Sequence, residues 1–401
     1  MARGLSRSVG ALALGAATAL TAVGVGAQPS SGRRDLATQV WIEDPSGRAL
    51  ARFHRALARS AAGEGRTRIL VWGASHTASD QFTGFLRAAW QRRFGDGGPG
   101  FVLPARPFSL YDHREARVAP RGRWRTLRVR GRRRAPGAYG PAGFALEADG
   151  RADGWIALDA PVDTVRLHYL RRPGGGSLEL RAGGARRRRR TDGEGPAVLA
   201  LSPEDGARRI EVRARGGRVR LFGASLERGD GGVIVDALGV PGARLRDRLP
   251  WDDASLRAQL RRLGPDLIVL AYGTNESGFR GRPLRRYRRE ANEAIRRARA
   301  AAPRASCLLI GPSDWPERAD DGTWRARERT ARVAAIQRDA ARRHGCGYFD
   351  LVAFTGGPAS MHRWVEAGLA LSDHVHFTDE GHRRLARVLS RALLRGASLG
   401  G

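Results

Sequence analysis

Three widely separated segments carry side chains that could act together on an acyl group. The first, Val71-Trp72-Gly73-Ala74-Ser75-His76-Thr77-Ala78-Ser79-Asp80, offers a serine hydroxyl. The second, Ala271-Tyr272-Gly273-Thr274-Asn275-Glu276, offers a side-chain amide, and the third, Asp373-His374-Val375-His376, offers a carboxylate and two imidazoles. A serine hydroxyl attacks a carbonyl only when a base takes its proton as the new bond forms. His376 suits that base, and Asp373, three residues earlier, suits the acceptor that fixes the ring's tautomer. The Ser75 backbone amide and the Asn275 side chain suit donors to a developing oxyanion. A third donor is expected in Gly239-Val240-Pro241-Gly242, where spacing alone does not separate Gly239 from Gly242.

Each fragment has an ordinary reading as well. Gly-x-Ser is a common turn, and Gly and Asn are common between a strand and a helix. Asp373 reads equally as a capping-type loop residue and His376 as a packed loop histidine. His374 is either a competing base or a surface residue, and His382 falls on the last helix and reads as structural. The order of Ser, Gly-x-Asn and Asp-x-x-His is what points to a serine esterase.

The elements around these segments place them well. Residues 48–61 read as a helix, and Arg68-Ile69-Leu70-Val71-Trp72-Gly73 as a buried strand that runs into the Ser75 turn and a helix over about 78–93. That strand-turn-helix order is the context in which a nucleophile is exposed. From about residue 105 to 230 the helical period vanishes. Short alternating runs replace it, at 164–170, 177–181, 209–213 and 218–222, separated by turns such as Pro173-Gly174-Gly175-Gly176. This predicts an antiparallel β-sandwich, jelly-roll-like, over 105–231. The Arg186–Arg190 run reads as the solvated tip of a hairpin loop. Strand and helix then alternate again: strands at 233–238, 266–272, 306–310 and 347–350, and helices at 252–263, 283–301, 325–343 and 379–395. The fold class is therefore α/β, three-layered, with a domain at 48–104 and 232–398 interrupted by the all-β insert.

The chain has 401 residues, enough for two cored domains. Its formal charge is +31, which raises nucleic-acid binding as a function. All 71 basic residues are arginine and they are spread along the chain, the composition of a GC-rich coding sequence rather than of a basic arm. No nucleic-acid partner is expected, although the charge favours anionic polymers at low salt. Arg3 and Arg7, the weakly apolar run 9–26 and the small residues Val25-Gly26-Ala27 read as a signal peptide over 1–27, cleaved rather than kept as an anchor. Residues 28–47 read as an unstructured lead-in. No later segment is apolar enough to span a bilayer, so an exported, periplasmic or secreted protein, acting as a monomer, is expected. Cys307 and Cys346 begin strands that are neighbours in the expected sheet. They read either as a disulfide or as two small buried side chains. The histidines His113, His168, His344 and His362 are scattered without ligand spacing, so no metal is expected. The phosphate-binding glycine patterns are absent from the right contexts.

With these blocks in order, the chain resembles the SGNH/GDSL hydrolase superfamily: Ser75 in the first block, Gly242 by position in the second, Asn275 of Gly-Thr-Asn-Glu in the third, Asp373 and His376 in the fourth. The Ser-His-Thr-Ala-x-Asp form of the first block, the β-rich insert and Gly357-Pro358-Ala359-Ser360-Met361-His362-Arg363-Trp364 are similar to the peptidoglycan O-acetylesterase branch. The resemblance implies a flavodoxin-like hydrolase domain and an insert like a carbohydrate-binding module. It implies a Ser75-His376-Asp373 triad, with Ser75, Gly242 and Asn275 as oxyanion donors and no cofactor. The substrate implied is an acetylated polysaccharide or peptidoglycan, from which O-linked acetyl groups are removed. The same triad would serve an O-acetyltransferase. The chain departs from the family at Ala74, where the family usually has Asp before the nucleophile. That departure leaves a third reading, a cell-wall glycan-binding protein without turnover. Trp124 and Trp155 of the insert read either as sugar-stacking platforms or as sandwich core.

Overall fold

The structure is a computed structural model that describes residues 36–130 and 138–398. The expected signal peptide, and 28–35 of the expected lead-in, lie outside the described residues.

Five parallel strands form the central sheet, in the spatial order Gly232–Gly239, Arg66–Gly73, Leu267–Ala271, Ser306–Ile310, Gly347–Phe349. Numbered along the chain that order is 2-1-3-4-5, the doubly wound order of flavodoxin-like folds. Both faces of the sheet are buried, and alternate residues serve opposite layers. Ile69 and Val71 pack with Phe53, Leu57, Phe82, Trp90 and Leu389 on one side. Leu70 and Trp72 pack with Ile295, Val333 and the insert on the other. Helices Ala51–Ala61, Gln81–Phe94 and Asp379–Leu394 cover the first face; Asp253–Leu263, Leu284–Ala301 and Glu328–Arg343 cover the second.

Ser306–Ile310 and Gly347–Phe349 are adjacent, and Cys307 and Cys346 are joined in a disulfide. Of the two readings of these cysteines the disulfide is the one realised.

The all-β insert is two antiparallel sheets. One has the order Gly195–Leu201, Thr164–Arg171, Arg218–Glu227, Phe144–Asp149, Arg125–Arg128; the other Ala116–Gly122, Ala152–Val162, Ala207–Arg215, Ser177–Ala182, Ala185–Arg190. It begins earlier than expected, because Gly100–Val102 already pairs with Arg218–Glu227. The insert shares its core with the hydrolase domain. Trp72 is fully buried and its indole N–H donates to the Pro141 carbonyl at 2.7 Å. Arg68, also buried, ion-pairs with Asp236 of the neighbouring strand and with Glu227 at the end of the insert, at 2.7 and 3.0 Å.

Three expectations are corrected. Arg186–Arg190 is not a loop: Ala185–Arg190 is an edge strand paired with Ser177–Ala182. Five consecutive arginines hide any period of two, yet Gly183-Gly184, both at positive φ, make the tight hairpin turn that fixes the pairing. The lead-in is fixed over 36–47: the Thr38 amide donates to the Phe354 carbonyl, Glu43 bridges Tyr348, and Glu43 ion-pairs with Arg338. Leu36, Val40 and Ile42 pack on the core without any regular period to announce it. The helix after the first strand is broken, into Ser75–Ala78 and Gln81–Phe94, by Asp80 in a left-handed conformation at φ 51°.

Candidate active site

In an open parallel sheet, ligands bind at the carboxyl ends of the strands where the strand order reverses. Here that point lies between Arg66–Gly73 and its neighbours. The first strand ends at Gly73, where a Cβ would stand 2.2 Å from Thr77 Oγ1 and 3.0 Å from the Ala271 carbonyl. Only glycine lets the chain turn so tightly, and Ser75 opens the short helix that follows. Gly239, at the end of the second strand, is used for close packing: a Cβ there would meet the Ala78 amide nitrogen at 2.3 Å. Gly242 lies further out, in the loop at φ 68°. The structure thus separates the two glycines that spacing left together.

The last loop is folded back by its own backbone. Leu371 donates to the His376 carbonyl at 2.7 Å, and Asp373 Oδ1 accepts from the amides of Val375 and His376 at 2.9 and 3.0 Å. Asp373 Oδ2 lies 2.6 Å from His376 Nδ1, and His376 Nε2 lies 2.7 Å from Ser75 Oγ. With the carboxylate on one side, Nδ1 carries the proton and donates, and Nε2 accepts from the Ser75 hydroxyl. Burial works to raise the Asp373 carboxyl, but the hydrogen bonds from the His376 amide and ring and from the Val375 amide hold it below the usual carboxylate range. His374, at φ 57°, turns the other way and lies against Trp324, ring centroids 4.0 Å apart. The pair is open to solvent, with 37% of the His376 side chain and 47% of the Asp373 side chain exposed.

The Asn275 amide donates to the Ala243 carbonyl at 3.1 Å, next to Gly242, so the second and third blocks are tied together. Glu276 braces both. Its buried carboxylate accepts from the Leu245 and Gly273 amides at 2.8 and 3.0 Å, while burial pushes it up to about 7.

Four residues near the site had no role from sequence. His76 is the first: its Nε2–H donates to the Val375 carbonyl at 2.9 Å and its ring stacks on His376, centroids 5.3 Å apart. Burial, and then His376, lower it to about 4, so it is neutral and does not compete for the proton. Phe377 and Trp364 form an aromatic floor beneath this loop, 5.3 Å between centroids. Asp80 is the fourth. It is buried against Arg87 and accepts from the Thr83 hydroxyl at 2.8 Å and the Arg114 amide at 3.1 Å. Burial alone would raise its carboxyl, but Arg87 and His113 hold it below the usual range. His76 and Asp80 stand inside the quoted first block, so the signal was present; a sequence cannot say which side of a turn a ring will face. Ala74 is buried, and its carbonyl accepts from Thr77 and Ala78 at 3.2 and 3.0 Å.

Of the expected sugar platforms, Trp124 is half-buried with its indole N–H on the Asp153 carbonyl at 2.7 Å, and Trp155 lies under Arg209. Among the described residues no group of His, Cys, Asp or Glu is arranged to hold a metal ion. No helix there is long and apolar enough to cross a membrane.

A model of the GDSL-like lipase/acylhydrolase family matches residues 191–384, a span that includes Gly242, Asn275, Asp373 and His376. No curated protein is significantly similar in sequence. Among solved structures, a peptidoglycan O-acetylesterase superposes with TM-score 0.77 at 27% identity, over 90% of this chain and 99% of that one. An acetyl xylan esterase is 21% identical over 40% of this chain and 80% of that one, TM-score 0.30. A family two carbohydrate esterase from Cellvibrio japonicus is 12% identical over 70% and 98%, TM-score 0.29. By fold and by these matches the chain is similar to SGNH/GDSL-type hydrolases and, among them, to the peptidoglycan O-acetylesterase branch. It is an esterase.

Proposed function

We propose that this esterase removes O-linked acetyl groups from a cell-wall glycan, peptidoglycan being the first candidate, through a covalent acetyl-serine. His376 takes the Ser75 proton as Oγ attacks the acetyl carbonyl. Asp373 holds the ring and stabilises the imidazolium. The oxyanion forms against the amides of Ser75 and Gly242 and the Asn275 side chain. His376 then gives its proton to the departing sugar oxygen. A water molecule, deprotonated by His376, attacks the acetyl-serine and releases acetate, restoring Ser75.

The observation that carries this reading is the continuous hydrogen-bond chain Asp373–His376–Ser75 at the carboxyl end of the first strand. The 27% identical peptidoglycan O-acetylesterase supports the choice of glycan. Exposure of His376 and Asp373 favours hydrolysis over transfer, since a transferase must keep water from its acyl-enzyme. The Cys307–Cys346 disulfide agrees with an exported protein in an oxidising compartment. The reading is tested by acetate release from O-acetylated peptidoglycan beside a panel of other acetylated glycans. Release from peptidoglycan at the highest kcat/KM is expected; release from none of them would dismiss it.

A further inference from the structure

Arginine covers this protein, and much of it is paired. Arg296 meets Glu293, Arg288 meets Asp339 and Arg297 meets Asp253. The group beside the oxyanion end of the site is different. Arg244 and Arg246 both lie over the Phe279 ring, 4.0 and 5.6 Å from its centroid. Among the described residues neither has a carboxylate within 4.0 Å. The nearby acids are engaged elsewhere: Glu290 by Arg282 and Arg286, Asp247 by the Arg244 backbone amide, and both oxygens of Glu276 by backbone amides. A third guanidinium, that of Arg130, rests directly against Gly242, donates to the Pro241 carbonyl at 3.2 Å and reaches the Asp247 carboxylate only at 4.0 Å. Burial, then Arg246 and Arg130, push Arg244 below the usual arginine range, which marks the cluster as short of negative charge.

The cluster is joined to the candidate oxyanion groups. Arg244 Nε donates to the Asn275 carbonyl at 3.2 Å, and the Asn275 side chain donates to Ala243, between Gly242 and Arg244. Beside it opens a cleft of about 360 Å³ walled by Arg246, Arg282, Arg286, Leu249 and Pro250 and by the carboxylates of Asp247 and Glu290, which are held by the contacts named above. We infer that Arg130, Arg244 and Arg246 form a subsite for a carboxylate carried by the same glycan molecule that bears the ester. A ring face orients a guanidinium without neutralising it, and the planar fork of the guanidinium matches a carboxylate in two-point contact. Three cations that share a single carboxylate contact, that of Arg130 with Asp247, repel one another until a further anion arrives. A glycan that carries a free carboxylate close to its acetyl ester reaches both places at once. The inference rests on the glycan-esterase reading of the site.

The test uses an acetate-free amino-sugar oligosaccharide with one carboxylate and its carboxamide twin, both titrated into the whole protein by calorimetry. The wild type is expected to bind the carboxylate form about tenfold more tightly, with the difference shrinking as salt is added. Arg246→Gln loses the difference; Arg288→Gln, outside the cleft, keeps it. Equal affinity for the twins in the wild type, binding of neither, or a full preference retained in Arg246→Gln overturns the subsite. Acetate release is measured separately. A protein that prefers the carboxylate but releases no acetate keeps the subsite and loses the esterase reading.

Discussion

His376 stands between two partners that the sequence named and one that it did not. Asp373 and Ser75 were legible because a triad needs an acid, a base and a hydroxyl, and the chain supplies them in a fixed order. His76 was not, because its value lies in a hydrogen bond to Val375 and a stacked ring, both consequences of folding. His76→Phe keeps the ring and removes the hydrogen bond, about 1 kcal/mol. A fall in kcat of roughly fivefold is expected, with KM little changed, because His376 is held less firmly while substrate contacts remain; steady-state kinetics checks the split. Asp373→Asn removes the acceptor that fixes the tautomer. A loss of up to about 10⁴-fold in kcat is known for that change in a buried triad. The loss here is expected to be smaller, since water reaches a pair this exposed. An unchanged kcat would remove Asp373 from the mechanism.

At the scale of elements, the strands were read almost to the residue because buried parallel strands are continuous apolar runs. What escaped were features set by long-range pairing: several strands of the insert, such as Ala152–Val162 and the Ala185–Arg190 edge strand, and the fixed segment 36–47. The disulfide belongs to this scale. Cys307 stands on one strand and Cys346 directly before its neighbour, and their bond closes a sequence separation of 39 residues. In the chain-entropy picture such a loop is worth about 4 kcal/mol. Cys307→Ala with Cys346→Ala is expected to lower the urea midpoint clearly while leaving kcat near wild type, since the bond is remote from Ser75 in the sheet. A midpoint unaltered by the double substitution would show that packing alone holds these strands.

Across the whole molecule, composition said least about function and most about physical behaviour. The charge of +31 comes from arginine throughout the chain, and its sharpest use, the unpaired group at Arg244 and Arg246, emerges only once the paired arginines have been recognised. Buried histidines give the molecule an acid limit. Burial, and then Arg68, lower His168 to about 3, and His76 is lowered to about 4; unfolded imidazoles titrate near 6.5. Between those values the unfolded chain holds protons that the native chain lacks, so stability is full above about 6.5 and falls as the pH drops toward 4. Glu276, raised to about 7, acts oppositely: its contribution is full below its unfolded value near 4.5 and is lost as the pH rises through about 7. Two deeply lowered histidines outweigh one raised carboxyl, so the urea midpoint at pH 5 is expected to lie below that at pH 7, and His168→Gln to flatten the difference. A midpoint that rises on acidification would contradict this.

The central claim is that Ser75 carries the acetyl group. It is tested most directly by rapid quenching of the protein with O-acetylated glycan, followed by peptide mass mapping beside a measurement of acetate release. The account predicts an acetyl group on the Ser75 peptide of the wild type, and neither the adduct nor acetate release in Ser75→Ala. Release of acetate by Ser75→Ala at the wild-type rate would contradict it.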